Sequence, residues 1–395
     1  LPYILQELRA TRRMCAGFPV LHFNHVTDKR EQMNKILARS ALTIFMGIAG
    51  VTGTAWSDDE TRGKRDTVER FVTLPDGVRF PEGITANPYT HDIYVGTFDS
   101  PPNNRPNKLL RYDRHGNLVA SRDFGNTPLL GLEFDRANRK VYITNVGNFA
   151  GVASKIQRVE ADLTGLTDVA VIPGVGAPGP RAVGNPDGST DTITFGSGAR
   201  VPNAMVFDRL GNLYVSDSFQ GAVFRITNPE GCAPNCNVET ISHDPLLATA
   251  GFPPFGANGL ALSQDEKTLF IANTGDDRVL KLDLASKALA VFAESINGAD
   301  GIAFDSEGRL WVAANQNDEI VALNRNGRVV VRVGEFEGVR RDGSANGLLF
   351  PASLVIVGGD MFVTNLALPL NATAGDEPEE EVTRYTISRI RVPRR

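Results

Sequence analysis

"ANGLALSQDEKTLFIANTG", Ala257 to Gly275, holds one complete structural unit. Ala257–Leu262 alternates small and apolar residues, as an inner strand does. "SQDEKT" is turn chemistry, and "LFIAN" is a second strand with an aromatic beside a β-branched residue. Strand, turn, strand is the reading, with period-2 burial on both arms. Asn258 is the anomaly, a polar side chain at the head of an apolar strand.

The unit recurs. "PEGITANPYTHDIYVGTFD" (Pro81–Asp99), "LLGLEFDRANRKVYITNVG" (Leu129–Gly147) and "PNAMVFDRLGNLYVSDSFQ" (Pro202–Gln220) precede it. "ADGIAFDSEGRLWVAANQN" (Ala299–Asn317) and "PASLVIVGGDMFVTNLAL" (Pro351–Leu368) follow it. A third strand comes after each, as in "KLLRYD" or "RVLKLD", and several units close with a fourth, as in "LAVFAES". Six four-stranded units at a pitch of roughly 40–55 residues are blade-sized. One such sheet cannot cover both its faces, but six packed radially can, and a closed ring leaves few edges. The expected fold is all-β: a six-bladed β-propeller of four antiparallel strands per blade. The last unit lacks an outer strand, and "TVERFVTL", Thr67–Leu74, is spare, so it is expected to close the ring. No amphipathic helices lie between the strands, which excludes a parallel α/β fold. The Gly/Pro-rich segment Pro173–Arg200 is expected to be a long loop between the second and third blades.

Composition adds bounds. The chain has 395 residues, 42% of them hydrophobic, with 41 Lys+Arg against 46 Asp+Glu. A formal net charge of −5 gives no footprint for nucleic acid. "MNKILARSALTIFMGIAGVTGTAWS", residues 33–57, has the charge, apolar run and small-residue order of a signal peptide. Residues 1–32 are then expected to lie upstream of the true start, and residues 67–392 to form one propeller domain. The apolar run is short for a membrane span, so an exported protein, periplasmic or secreted, is expected, with no span in the mature chain. Cys232 and Cys236 are the cysteines left after that leader, and a disulfide between them suits an oxidising compartment. Nothing points to oligomerisation, and a monomer is expected. "DEPEEEVTR", Asp376–Arg384, reads as a solvated acidic loop.

Aligning the units on the second-strand aromatics Tyr94, Tyr142, Tyr214, Phe270, Trp311 and Phe362 isolates one column at the start of each innermost strand. It holds Glu82, Leu130, Asn203, Asn258, Asp300 and Ala352. One of these polar residues alone would be a turn residue bonded to nearby backbone. Four in register around one channel mouth form a hard-cation site of two carboxylates and two amide oxygens. Ca²⁺ is the first expectation, with Mg²⁺, Mn²⁺ or Zn²⁺ as other divalent ions; the absence of Cys and His from the column disfavours zinc.

The ordered set "FPEGI", "VPNAMVFD", "GANGLALSQDEKTLFIANT" and "GADGIAFDSEGRLWVAA" resembles the gluconolactonase / senescence-marker-protein (regucalcin) family. Paraoxonase and diisopropyl fluorophosphatase are similar at greater distance. The resemblance implies a divalent cation held by Glu82, Asn203, Asn258 and Asp300, with Asp300 as catalytic general base or nucleophile. It implies hydrolysis of a small-molecule lactone or related ester. Two departures bear on substrate: sugar-lactone members often carry Arg and Asp where this chain has Val201 and Ala204. His91, His115 and His243 fall in or beside turns and strand ends, away from the column, and no G-x-S-x-G elbow is present. The rival expectation is a non-catalytic ligand- or protein-binding propeller like those of NHL repeats.

Overall fold

A computed structural model describes residues 68–100, 104–148, 151–196, 198–371 and 375–393. The expected signal peptide and the residues upstream of it lie outside the described residues. The six blades are formed in chain order. Blade one is β2 (Pro81–Ala86), β3 (Ile93–Thr97), β4 (Asn107–Tyr112) and β5 (Leu118–Gly125). Blade two is β6 (Leu129–Asp135), β7 (Lys140–Asn145), β8 (Lys155–Glu160) and β9 (Thr167–Val171). After a two-stranded hairpin, β10 (Arg181–Gly184) and β11 (Thr190–Ile193), blade three follows as β12 (Pro202–Phe207), β13 (Leu213–Asp217), β14 (Ala222–Ile226) and β15 (Glu239–His243). Blade four is β16 (Ala257–Leu262), β17 (Thr268–Asn273), β18 (Arg278–Asp283) and β19 (Leu289–Glu294). Blade five is β20 (Ala299–Phe304), β21 (Leu310–Ala314), β22 (Glu319–Leu323) and β23 (Val329–Val333). A second hairpin, β24 (Phe336–Val339) and β25 (Ala345–Gly347), leads into blade six: β26 (Pro351–Val357), β27 (Asp360–Asn365) and β28 (Thr386–Arg391).

The fourth strand of blade six is β1 (Val68–Thr73), which pairs antiparallel with β28 from Val68 opposite Ile390 to Thr73 opposite Thr386. The two ends of the propeller are thus sewn into one sheet. The innermost strands neighbour one another in the order β2, β6, β12, β16, β20, β26 and back to β2.

The core sits in the wedges between blades. Each second-strand aromatic fills the gap to the next blade, so Tyr142 meets Phe207 of β12 edge-on at 5.0 Å and Phe270 meets Phe304 of β20 at 5.4 Å. Tyr94, Tyr142 and Trp311 are fully buried. Side chains of this size contribute about 1.5–3 kcal/mol each on burial, which explains why the aromatic recurs at that position. The turns repeat as well. Asp208 accepts the N–H groups of Leu210 and Asn212, while Gly211 takes the left-handed φ of 81° that the turn needs.

Two details differ from the sequence reading. The 173–200 segment is not structureless, since it folds in part into the β10–β11 hairpin. Arg181 of that hairpin reaches Asp276 in the β17–β18 turn at 3.0 Å. Within Asp376–Arg384, Pro378–Glu381 forms a 3₁₀ turn and Val382 is buried, so the segment is only partly solvated. Cys232 and Cys236 are joined by a disulfide in the β14–β15 connection. Among the described residues, no helix is long and apolar enough to cross a membrane.

Candidate metal centre at the channel mouth

In every blade the innermost strand loses register with its neighbour at the same place. The breaks fall between Pro81 and Ile84, Leu129 and Leu132, and Pro202 and Met205. In the other three blades they fall between Ala257 and Leu260, Ala299 and Ile302, and Pro351 and Leu354. A bulge re-aims a side chain, and these six bulges bracket the six residues of the polar column. The residue after the column position is Gly83, Gly131, Gly259 or Gly301 in four of the blades. A Cβ at Gly83 would overlap the carbonyl oxygen of Leu130, and one at Gly131 or Gly259 would overlap that of Asn203 or Asp300. Missing side chains therefore let the strand starts crowd around the channel axis.

Glu82, Asn203, Asn258 and Asp300 line one cavity of about 30 Å³ and are all at least 95% buried. Leu130 lines it too, whereas Ala352, the sixth member of the column, is buried without being part of the wall. The enclosed volume suits an ion with a water. The further ends of the same strands border a wider space of about 600 Å³.

A second column orients the first. Four residues after each second-strand aromatic stand Phe98, Val146, Ser218, Thr274, Asn315 and Leu366. The three polar ones fall in the blades that carry Asn203, Asn258 and Asp300. Asn203 Nδ2 donates to Ser218 Oγ at 3.0 Å, Asn258 Nδ2 to Thr274 Oγ1 at 2.9 Å, and Asn315 Nδ2 to Asp300 Oδ2 at 2.9 Å. Ser218 and Thr274 donate their own protons to the carbonyls of Ala257 and Ala299. A hydroxyl has one proton, so each must accept from the amide. That sets both amides with nitrogen toward the hydroxyl and leaves the oxygen as the end available to a ligand. Another set of hydroxyls fixes the backbone. Thr144, Ser216 and Thr364 donate to the carbonyls of Asn203, Asn258 and Glu82 in the following blade. The sequence reading missed both sets; their signal was a polar residue at fixed distance from the aromatic in only some of the repeats.

The electrostatics of the cavity are unbalanced. Glu82 Oε2 and Asp300 Oδ1 are buried and have no hydrogen-bond partner among the described residues. Burial drives the Glu82 carboxyl well above the ordinary carboxylate range, and the nearby Asp300 adds to it. Burial also pushes Asp300 up to about 7, against the pull of the Asn315 and Asn258 amides. Two orphaned carboxylate oxygens beside two oriented amide oxygens are the donor set that a hard divalent cation requires. Among the described residues, no three His, Cys, Asp or Glu side chains gather as a metal-binding group, so the neutral amides are needed to complete a site. No His lines the cavity. His115 is exposed in the β4–β5 turn, His91 sits at positive φ before β3, and His243 ends β15 with Nε2 3.2 Å from Gly176 O.

Comparisons with known proteins bear on the propeller fold and on part of the chain. Residues 201–334 match the family model described as the SMP-30/gluconolactonase/LRE-like region. Lactonase drp35 of Staphylococcus saprophyticus is 29% identical over 137 residues, which is 32% of this chain and 40% of that protein. Its counterpart from Staphylococcus aureus strain MW2 is 30% identical over 159 residues, 37% of this chain and 45% of that protein. The chain thus spans less than half the length of these curated relatives. Among solved structures, regucalcin from Agrobacterium tumefaciens strain C58, described as calcium-binding, superposes with a TM-score of 0.52 at 14% identity, covering 82% of this chain and 96% of that one. A gluconolactonase from Xanthomonas campestris gives 0.51 at 17% identity over 81% and 89%. The chain is a six-bladed β-propeller whose third to fifth blades, residues 201–334, match the model of the SMP-30/gluconolactonase/LRE-like region.

Proposed function

We propose that the protein is a divalent-cation-dependent hydrolase of a lactone or related ester, working at the channel mouth where Glu82, Asn203, Asn258 and Asp300 meet. The observation that carries this reading is the pair of buried, unpartnered oxygens, Glu82 Oε2 and Asp300 Oδ1, facing one small cavity with two oriented amides. The drp35 lactonases that this chain partly matches support the reaction class.

The two carboxylates and the two amide oxygens would hold the cation. Ca²⁺ is the first choice, since every donor is a hard oxygen and one structural neighbour is described as calcium-binding. A cation held by these residues would supply polarisation of the substrate carbonyl and offset charge developing on its oxygen. Asp300 supplies the chemistry of the chain itself. Its Oδ2 is held by Asn315, and its Oδ1, the oxygen that would face the cation, has a second lone pair that can take the proton of an attacking water. The water oxygen bonds to the acyl carbon, the acyl C–O bond breaks, and the alkoxide takes the proton back. One carboxyl and one alcohol result. Glu82 has Phe98, not a polar residue, at the orienting position of its blade, which fits it for charge neutralisation more than for proton transfer.

The test is metal analysis of purified wild type beside Asp300→Ala, followed by a panel of small lactones and aryl esters. Wild type with one bound divalent ion and cation-dependent turnover supports the reading; no ion and no turnover with any added divalent cation would sink it. We also read the mature chain as exported, which the Cys232–Cys236 disulfide supports. N-terminal sequencing of protein recovered from the producing cells would test that, and a mature start upstream of residue 57 in a cytosolic fraction would contradict it.

A further inference from the structure

The wall of the cavity speaks to substrate class, given the hydrolase reading above. Apart from the four oxygen donors, the polar side chains that line it are Thr274 and Asn315. Both are committed. Thr274 accepts from Asn258 and donates to Ala299 O, while Asn315 donates to Asp300 and accepts from Gln316 Nε2 at 3.1 Å. One N–H of Asn203 Nδ2 and one of Asn258 Nδ2 are taken by the Ser218 and Thr274 hydroxyls. Among the described residues, no Arg, Lys or His lines the cavity.

Around these groups stands an apolar collar. Phe98 comes from the β3–β4 connection, Phe255 from the segment before β16, and Phe350 from the residue before β26. Leu366, Leu368 and Leu370 come from the start of the β27–β28 connection. The collar is one continuous surface: these residues belong to, or pack against, a single hydrophobic cluster that also holds Leu130. Phe98 and Phe255 meet edge-on at 6.5 Å, and Phe219 backs Phe255 at 5.4 Å.

We infer that the site takes lactones or esters bearing an apolar alkyl or aryl group and turns away polyhydroxylated ones, because the collar is apolar and the oxygen acceptors beneath it are those that would hold the cation. A hydroxyl carried past the collar loses its water against apolar walls, and the oxygen acceptors it could reach are the cation's. The positions Val201 and Ala204 agree. The Val201 side chain is fully buried and its N–H donates to Asp217, so neither residue offers a polar side chain to a sugar.

The experiment compares two δ-lactones of equal ring size on Ca²⁺-loaded wild-type protein, one with a butyl substituent and one polyhydroxylated. The matching δ-lactams, which resist hydrolysis, are titrated calorimetrically in parallel. The expected result is a kcat/KM for the butyl compound at least about 100-fold higher, with tighter binding of the butyl lactam. Equal or better handling of the polyhydroxylated pair would overturn the inference. If no lactone is hydrolysed but the butyl lactam alone binds, the hydrolase reading fails and the ligand class stands. If neither lactone is hydrolysed and the butyl lactam does not bind, both fail. Leu368→Ser, at a half-buried collar position, is expected to lower the butyl preference several-fold while leaving the melting temperature near wild type. A preference unchanged in that variant counts against the collar.

Discussion

Asn258 donates Nδ2 to Thr274 Oγ1 at 2.9 Å, and Thr274 donates in turn to the carbonyl of Ala299, in the next blade, at 2.8 Å. One hydroxyl therefore orients an amide of the candidate site and ties two blades together at the channel mouth. Thr274→Val keeps the shape and removes the hydroxyl. It leaves Asn258 Nδ2 and Ala299 O unpaired, at a cost of about 1–3 kcal/mol for a stranded buried group, and frees the amide to turn over. Ca²⁺ affinity is expected to fall about 10–100-fold, the usual effect of losing an orienting partner. Thr274→Ser should restore most of it. Calorimetric titration of the three proteins, with denaturant melts alongside, checks both effects.

Removal of the cation should make stability depend on pH with a particular sign. The folded chain holds the Glu82 and Asp300 carboxyls above their ordinary range, Asp300 at about 7. The folded state then binds more protons than the unfolded one between the ordinary carboxylate value and those raised values. Stability must fall as pH rises through that window, at up to about 1.4 kcal/mol per pH unit for each group. Chelator-treated protein is expected to melt higher at pH 5 than at pH 7.5. Saturating Ca²⁺ should raise the melting temperature more at pH 7.5, and Asp300→Asn should flatten the chelated profile. Thermal melts across that range, with and without chelator, measure it.

The glycine steps beside the column admit no side chain. Gly83→Ala would press a Cβ against the Leu130 carbonyl, which is backbone and cannot swing aside. Overpacking of this kind costs about 1–3 kcal/mol or more, and it should also spread the strand starts and weaken cation binding. Gly184→Ala in the β10 hairpin strand, where a new Cβ meets nothing within 4 Å, is the control. It is expected to change stability by less than about 0.5 kcal/mol. Urea melts of both variants decide the matter.

Ring closure should rest on burial rather than on charge. Val72 of β1 is 7% exposed within the cluster beneath the mouth, whereas the Glu69–Arg389 pair at 2.6 Å lies in solvent. Val72→Asp buries an unpaired carboxylate and should cost several kcal/mol. Glu69→Ala should cost about 1 kcal/mol or less. Equal effects in chemical denaturation would show that the β1–β28 seam is held differently.

Much of this was legible in the chain itself, for physical reasons. Each inner hairpin must place an aromatic in the wedge and a turn at the rim, so Tyr94, Tyr142, Tyr214, Phe270, Trp311 and Phe362 mark the repeat and point back to Glu82, Asn203, Asn258 and Asp300. The spare strand β1 was readable because blade six stops one strand short. Other features were not. The bulges depend on pairing across strands, which no local pattern records. Ser218, Thr274 and Asn315 look like ordinary strand-end residues until the ligand column shows which blades need them. β9, "TDVAV", is too short and too edge-like to stand out, and the β10–β11 hairpin is hidden among Gly and Pro.

The central claim is that Glu82, Asn203, Asn258 and Asp300 form one cation site. Calorimetric titration of Ca²⁺ into chelator-treated wild type and Asp300→Asn tests it most directly. One saturable site per chain in wild type, absent or at least about 100-fold weaker in the variant, is the expected result. No binding of Ca²⁺ to folded wild type, or equal binding to both proteins, would contradict it.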